Sequence, residues 1–326
     1  MKRYIRAAIK SVDQESSEVK ERIAADPNTR SNVLMELAKD CLYSHSMVAA
    51  LASNPNCPSE VLDEMLRQTF GDSWAVNQIA SHPNLSTKAK WYIAEHGGMN
   101  TVDGFLALGI DVPAEILRFL SDNENVSTRS LVAQNENTPS DVLAQMANDS
   151  SKLVRFWVAH NPNTPTDVVD SLTGSFDDIG GMDDIDMQEA LARNPKTPSE
   201  VLAKLAKTSN SYLALCLVAD NPNTSPDILT SMANGSLQSR VAGNPNTPPE
   251  VLDQLSKVRD KYVRHQVAGN PSTPAAALKR LSNSRDWRTV DTVLANPSTP
   301  YTVLQRFVND EHYRSIVLHN PAWINR

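Results

Sequence analysis

An Asn-Pro corner recurs along the whole chain and constrains the fold more than any other feature of the sequence. Successive corners begin 23 to 33 residues apart, and all 20 prolines lie within a corner or one place beyond it. A chain with this period is built from small units that stack on one another. We call the first residue of each corner its anchor, and the twelve anchors are Asp26, Asn54, His82, Gly109, Asn135, Asn161, Asn194, Asn221, Asn244, Asn270, Asn296 and Asn320.

The sequence of each unit predicts two short helices that are joined at the anchor. Apolar residues at helical spacing follow the anchor, as in 201–206, and a second apolar pattern precedes it, as in 263–268. The segment 197–200 reads as a capping box, in which Thr197 caps the second helix. The anchor Asn is expected to end the first helix, because proline disfavours helical geometry in the residue before it. Stacked anchor asparagines are also expected to bond backbone groups and form a structural ladder.

A unit of this size cannot bury its own apolar stripe, so it must pack on its neighbours. The sequence therefore predicts an all-α, right-handed α-solenoid of about eleven two-helix repeats. Residues 1–25 are expected to form an N-terminal cap and the first half-unit, and residues 26–326 one continuous repeat solenoid. Two departures interrupt the pattern, an irregular unit at 88–108 and an acidic insertion at 173–189.

The repeat is almost complete from Val154 through Leu172, and there it resembles the leucine-rich repeat variant family. Related copies extend from Val19 to Asn320. The resemblance implies a superhelix in which α-helices alternate with shorter helices, some of them 3₁₀. Some members of that family carry a cysteine-rich iron–sulfur segment before the repeats. The first 40 residues here contain no cysteine, so that cofactor is not expected. The family pattern names no activity.

Composition and motifs exclude several functional classes. No apolar stretch approaches the roughly 20 residues of a membrane span, and the start lacks a secretory signal, so we expect a cytoplasmic protein. The three cysteines form no C-x-x-C pair, and the seven histidines form no His-x-x-x-His pair. Phosphate-binding glycine loops and nucleophile elbows are also absent from the sequence. We therefore expect no enzyme, no metal and no cofactor.

Residues that break the repeat are the candidates for partner binding, since regular positions are needed for stacking. The irregular unit contributes Trp91 and Tyr92, either within a drifted unit or on a partner-binding protrusion. The acidic insertion is interpreted as a solvated loop or as a docking segment for a basic partner. It fails the calcium-loop pattern, because the place that requires Gly holds Asp183. Its candidate acids are Asp177, Asp178, Asp183, Asp184 and Asp186.

A row of arginines provides a second candidate surface. Arg129, Arg155, Arg264 and Arg314 each lie six residues before an anchor, and equivalent places in a solenoid align. Such a row is suited to phosphates or carboxylates of a partner. Other repeats carry apolar residues at this place, so the alternative is that the stems pack between helices and the guanidinium groups bond to loop carbonyls.

Two functions follow as hypotheses. The first is a noncatalytic protein–protein interaction scaffold that binds a protein partner along an extended surface. The alternative is a nucleic-acid-associated helical-repeat protein, including a base-modifying one, that uses the basic C-terminal third with Tyr262, Arg264, Trp287 and Arg288. Residues 191–326 carry 16 basic and 10 acidic side chains, but the net charge of −7 favours the first hypothesis. The identity of the partner, the biological process and the oligomeric state stay open.

Overall fold

A computed structural model describes residues 16–39, 44–107, 111–174 and 185–325. Within these ranges the chain forms 24 α-helices and a 3₁₀ turn at Gly235–Leu237, and it has no strand. The helices that precede anchors are α1 (Ser17–Ala25), α3 (His45–Ala52), α5 (Ser73–Ala80), α7 (Met99–Ala107), α9 (Val126–Gln134), α11 (Lys152–His160), α13 (Ile185–Arg193), α15 (Tyr212–Asp220), α17 (Gln238–Gly243), α19 (Lys261–Gly269), α21 (Trp287–Ala295) and α23 (Arg314–His319).

The helices that follow anchors carry the even numbers. They are α2 (Ser31–Ala38), α4 (Ser59–Thr69), α6 (Thr87–His96), α8 (Ala114–Leu120), α10 (Ser140–Met146), α12 (Thr166–Gly174), α14 (Ser199–Thr208), α16 (Pro226–Met232), α18 (Pro249–Leu255), α20 (Ala275–Leu281), α22 (Tyr301–Leu304) and α24 (Pro321–Ile324). The predicted all-α helical repeat solenoid is confirmed.

The helices belong to two compact units, which divide between Asn163 and Thr164. Inside each unit the odd-numbered helices pack side by side, and several even-numbered helices also pack on their even-numbered neighbours. This arrangement gives two helical layers with the apolar core between them. The leucines that fill the core include Leu62 and Leu143 in the first unit and Leu202, Leu252 and Leu278 in the second, all with no exposed surface.

The proline corner leaves a backbone carbonyl without a helical donor, and the next repeat supplies one. At the anchor Asn244, Pro245 has no N–H and the N–H of Asn246 donates to the Asn244 side chain, which leaves the carbonyl of Ala242 unpaired. Nδ2 of Asn270 donates to this carbonyl at 2.8 Å and to the carbonyl of Asn244 at 2.7 Å. The same pair of bonds is made by Asn54, Asn161, Asn221, Asn244, Asn296 and Asn320. The predicted ladder of anchor asparagines is therefore present.

Histidine takes the place of asparagine at the third anchor. Nδ1 of His82 lies 3.1 Å from the backbone nitrogen of Asn84, which can only donate. The ring proton therefore belongs to Nε2, which lies 2.8 Å from the carbonyl oxygen of Asn54 and donates to it. The imidazole thus reproduces one donor and the acceptor of the asparagine side chain.

The prediction that anchor threonines cap the second helix is wrong. Helix α14 begins at Ser199 after Pro198, which offers no side-chain cap, and the hydroxyl of Thr197 donates backwards to the carbonyl of Leu191 at 2.5 Å. The last turn of a helix has carbonyls without donors, and a buried carbonyl of this kind is costly to leave unpaired. The same backward bond is made by Thr138, Thr224, Thr247, Thr273 and Thr299.

The irregular unit at 88–108 contains the ordinary helices α6 and α7 within its described residues. Gly97 and Gly98 alone join them, whereas the equivalent links elsewhere are longer, such as residues 70–72 between α4 and α5 and residues 121–125 between α8 and α9. A Cβ at Gly97 would lie 2.4 Å from the carbonyl oxygen of Ile93, and only glycine permits this approach. The unit keeps the alternation of helices and departs from the repeat in its connection.

Candidate functional site

An open groove lies between α4 and α6 of the first unit, where the sequence analysis placed Trp91 and Tyr92. Its volume is about 510 Å³. Helix α4 has 11 residues and α6 has 10, whereas α8 and α10 have 7 each, so the groove has longer walls than the next two repeats provide. The lining residues are Asp63, Leu66 and Arg67 of α4 and Lys88, Ala89, Trp91, Tyr92 and Glu95 of α6.

Ring contacts fix the aromatic side chains of the groove. Tyr92 packs edge-on against Phe70 at 4.5 Å between centroids and stacks on His96 at 4.6 Å. Trp91 packs against Phe119 of α8 at 5.6 Å. Tyr92 is still 40% exposed and Phe119 49% exposed. Rings held in place while exposed lose little conformational freedom when they bind a ligand.

Polar groups with unused bonding capacity line the same groove. The hydroxyl of Ser86 donates to Oδ2 of Asp63 at 2.8 Å, but the buried Oδ1 of Asp63 accepts no bond from the described residues. The ammonium group of Lys88 is exposed and likewise has no acceptor in the described part of the chain. Arg67 is paired with Glu64, whose Oε2 lies 2.5 Å from Nη1. A ligand in the groove can therefore reach the exposed cation of Lys88 and the exposed carboxylate of Glu95.

Arg129 of the predicted row is paired inside the first unit. Its Nε and Nη2 donate to the two oxygens of Asp149 at 2.7 and 3.0 Å, and Nη1 donates to the carbonyls of Asn123 and Glu124. The two paired side chains are 13% and 9% exposed. Burial opposes ionisation of Asp149, but Arg129 and the N–H of Ser151 outweigh it and lower the pKa of this carboxyl.

The other arginines of the row divide into two kinds. Nη1 of Arg155 donates to the carbonyl of Asp149 at 2.5 Å, and Nη1 of Arg264 donates to the carbonyls of Val258 and Arg259 at 2.9 and 2.6 Å. These contacts match the structural alternative given for the row, in which guanidinium groups bond to loop carbonyls. Arg314 is exposed, and its side chain makes no polar contact within the described ranges.

The acidic insertion at 173–189 is described only at its two ends. Asp177, Asp178, Asp183 and Asp184 lie outside the described residues. Asp186 is exposed in the first turn of α13, where a carboxylate interacts favourably with the helix dipole. The role of these acids in docking stays a prediction.

A set of exposed apolar side chains at the start of the odd-numbered helices went mostly unrecognised in the sequence. Each member lies eight or nine residues before an anchor, at places where other repeats carry Ser46, Ser127 or Lys152. A large apolar residue is not required for stacking at a place where other repeats carry serine. Comparison of equivalent positions between the repeats could therefore have identified these residues from the sequence. The members are Trp74, Val126 and Leu153 in the first unit and Ile185, Tyr212, Leu213, Tyr262 and Trp287 in the second, and they are 38% to 66% exposed.

The described ranges hold no cluster of three or more His, Cys, Asp or Glu side chains that could hold a metal ion. Among the described helices, none combines the length and apolar character needed to cross a membrane.

Comparison with known proteins identifies no family for this chain. No protein-family model matches it, and no curated protein matches it. One similar solved structure is a leucine-rich repeat variant with a novel repetitive structural motif. It is 18% identical, the match covers 69% of this chain and 88% of that chain, and the TM-score is 0.42. An engineered protein is 17% identical over 94% of this chain and 95% of that chain, with a TM-score of 0.11. Both TM-scores are low, so the fold rests on the helices described above.

Proposed function

We propose that this protein is a noncatalytic interaction scaffold that binds a protein partner in the groove between α4 and α6. One observation carries the proposal: fixed but exposed aromatic rings lie beside the exposed ammonium group of Lys88, which has no acceptor in the described part of the chain. Elsewhere polar side chains bond one repeat to the next, as the anchor asparagines do. The groove is therefore distinguished from the stacking surfaces by exposed rings that lie beside exposed charged groups.

The lining of the groove suits a peptide segment of a partner protein. A volume of about 510 Å³ lies within the range of ligand sites and accepts a few side chains. Tyr and Trp are the side chains most enriched among residues that dominate binding energy at protein interfaces. Lys88 and Glu95 offer exposed charge of both signs, which fits a segment that places an apolar side chain between polar neighbours.

Purification of the tagged protein from its native cells, with and without nuclease, tests the proposal. We expect a nuclease-resistant protein near equal stoichiometry with the wild-type chain, and at least a tenfold loss of it with Tyr92→Ala and with Lys88→Glu. The matched control is Tyr212→Ala, which removes a ring of 58% exposure in the other unit. Circular dichroism and thermal melting of each variant establish that it is folded.

Three outcomes contradict parts of the proposal. Capture that is unchanged in both groove variants removes the groove as the binding site. Companions that disappear on nuclease treatment indicate association with nucleic acid instead of a protein partner. Deletion of residues 175–184 examines the acidic segment separately, and full capture after the deletion removes that segment from the interface.

A further inference from the structure

Aromatic rings and cations alternate at the start of α19 and α21 in the second unit. Nζ of Lys261 lies 5.1 Å from the ring centroid of Tyr262, and the guanidinium carbon of Arg288 lies 5.3 Å from that of Trp287. The ring of Trp287 meets His312, which lies just before α23, edge to face at 6.4 Å. Because α19, α21 and α23 pack side by side, these side chains lie at neighbouring places along one edge of the odd-numbered layer. We call these five residues the cation–aromatic row.

Further ring contacts extend the row. His312 meets Tyr313 at 4.6 Å, and Tyr313 meets Phe307 at 5.3 Å, both edge to face. The guanidinium carbon of Arg306 lies 5.3 Å from the centroid of Phe307. A continuous series of contacts thus runs from Trp287 and Arg288 to Arg306.

The two leading rings contribute little to the core. Tyr262 is 66% exposed and Trp287 is 54% exposed, more than either Tyr92 or Trp74. Other repeats carry serine or lysine at the same places, so stacking of the units does not require a ring there. Exposed rings with cations beside them form a platform on which planar groups stack.

The acids of this region are already used, whereas the cations are not. Asp260 accepts the N–H of Tyr262 at 2.7 Å, and Asp286 accepts the hydroxyl of Thr289 at 2.7 Å, so both act at helix starts. Asp310 accepts the N–H of His312, and Asp291 lies 3.8 Å from Nε2 of that ring.

Several exposed cations of this region have no ion-pair partner among the described residues. They include Lys261, Arg285, Arg288 and Arg314, and the exposed acids near them in sequence are Asp260, Asp310 and Glu311. The row therefore offers cationic groups that are not held in ion pairs next to open ring faces.

We propose that the cation–aromatic row binds single-stranded nucleic acid. Bases stack on Tyr262 and Trp287, and the cations of the row contact the phosphates. A single strand fits because its bases are free to stack, whereas a duplex keeps them paired. An acidic peptide would satisfy the cations and leave the two open rings unmatched. This site lies in the other unit from the groove, so it is independent of the proposed protein partner.

Fluorescence anisotropy with labelled oligothymidylate and oligouridylate tests the site on the full chain. We expect Tyr262→Ala and Trp287→Ala each to weaken binding about tenfold with an unchanged salt dependence, since stacking involves no counterions. Lys261→Glu and Arg288→Glu should weaken binding and reduce the slope of log K against log salt by at least about one each. Tyr212→Ala is the matched control, because its ring is 58% exposed on α15 and should leave affinity unchanged.

Several results would overturn the inference. One is the absence of oligonucleotide binding at about 50 mM salt, a low salt concentration that favours phosphate contacts. Another is unchanged affinity for the oligonucleotide in both Tyr262→Ala and Trp287→Ala. Equal affinity for a duplex of the same length would exclude stacked bases as the basis of binding. Displacement of the oligonucleotide by polyglutamate at equal concentration would assign the row to acidic polypeptides. Failure here leaves the loss of partner in Tyr92→Ala untouched, so the two proposals fail separately.

Discussion

Replacement of Asn270 by alanine probes the ladder that joins the repeats. The side chain donates to the carbonyl of Ala242 at 2.8 Å and to that of Asn244 at 2.7 Å, and it accepts the N–H of Ser272 at 2.9 Å. The Asn244 carbonyl keeps a second donor, the N–H of Thr247. Alanine therefore leaves one buried carbonyl and one half-buried N–H without partners. At roughly 1 to 3 kcal/mol for each such group, we expect a loss of about 3 kcal/mol in the free energy of unfolding.

Asn246→Ala is the matched control for this measurement. Its Nδ2 also makes two bonds to the previous repeat, to the carbonyls of Pro222 and Thr224, but it is exposed and water can replace it. We expect a loss of about 1 kcal/mol or less. Both variants are compared with the wild-type chain by urea unfolding followed by circular dichroism, with the partner-binding assay run in parallel.

The histidine at the third anchor suggests a substitution that restores part of the lost stability. Asn270→His should recover part of the lost stability, because His82 shows that an imidazole makes one donor bond and one acceptor bond at this place. Equal losses in Asn270→Ala and Asn246→Ala would refute the reasoning that burial of the ladder decides its contribution. A loss below about 1 kcal/mol for Asn270→Ala would refute the ladder itself.

Three further perturbations test the structure. The pKa of Asp149 lies below its ordinary value of 3.8. Its contribution to the free energy of unfolding is therefore present above pH 3.8 and is lost as the pH falls through the pKa of the folded state. In urea unfolding, the difference in stability between wild type and Asp149→Asn should accordingly disappear below about pH 4. Burial raises the pKa of Cys57 to about 12, so peptide mapping should show its alkylation only in urea, and alkylation of the folded chain would contradict its burial. Gly235 has φ of 82°, so Gly235→Ala should cost about 1 kcal/mol in thermal melting, whereas Gly71→Ala, with open space around it, should be near neutral; equal effects would contradict the strain.

The sequence by itself determined the helices and the way they repeat. Proline at fixed intervals both removes a donor and ends the preceding helix, so Asn-Pro marks every boundary it occupies. Apolar spacing then fixes which face of each helix is buried, as Leu202 and Leu252 show. The ladder of anchor asparagines could also be predicted from the sequence, because an asparagine side chain next to a proline corner can bond backbone groups there.

Only the tertiary structure decided how individual polar side chains are used. Thr197 has the sequence of a cap, yet the unpaired carbonyl of Leu191 lies within reach and takes its hydroxyl. Arg129 and Arg314 occupy equivalent places in their repeats. Of the two, only Arg129 has an aspartate within 3 Å, namely Asp149 between α10 and α11. The groove at Tyr92 and the row at Trp287 also depend on distances between helices. Helix boundaries arise from local backbone geometry, which the sequence encodes directly. The bond of Thr197 spans only six residues, but the ion pair of Arg129, the walls of the groove and the contact of Trp287 with His312 join residues 20 or more places apart and exist only once the repeats have stacked.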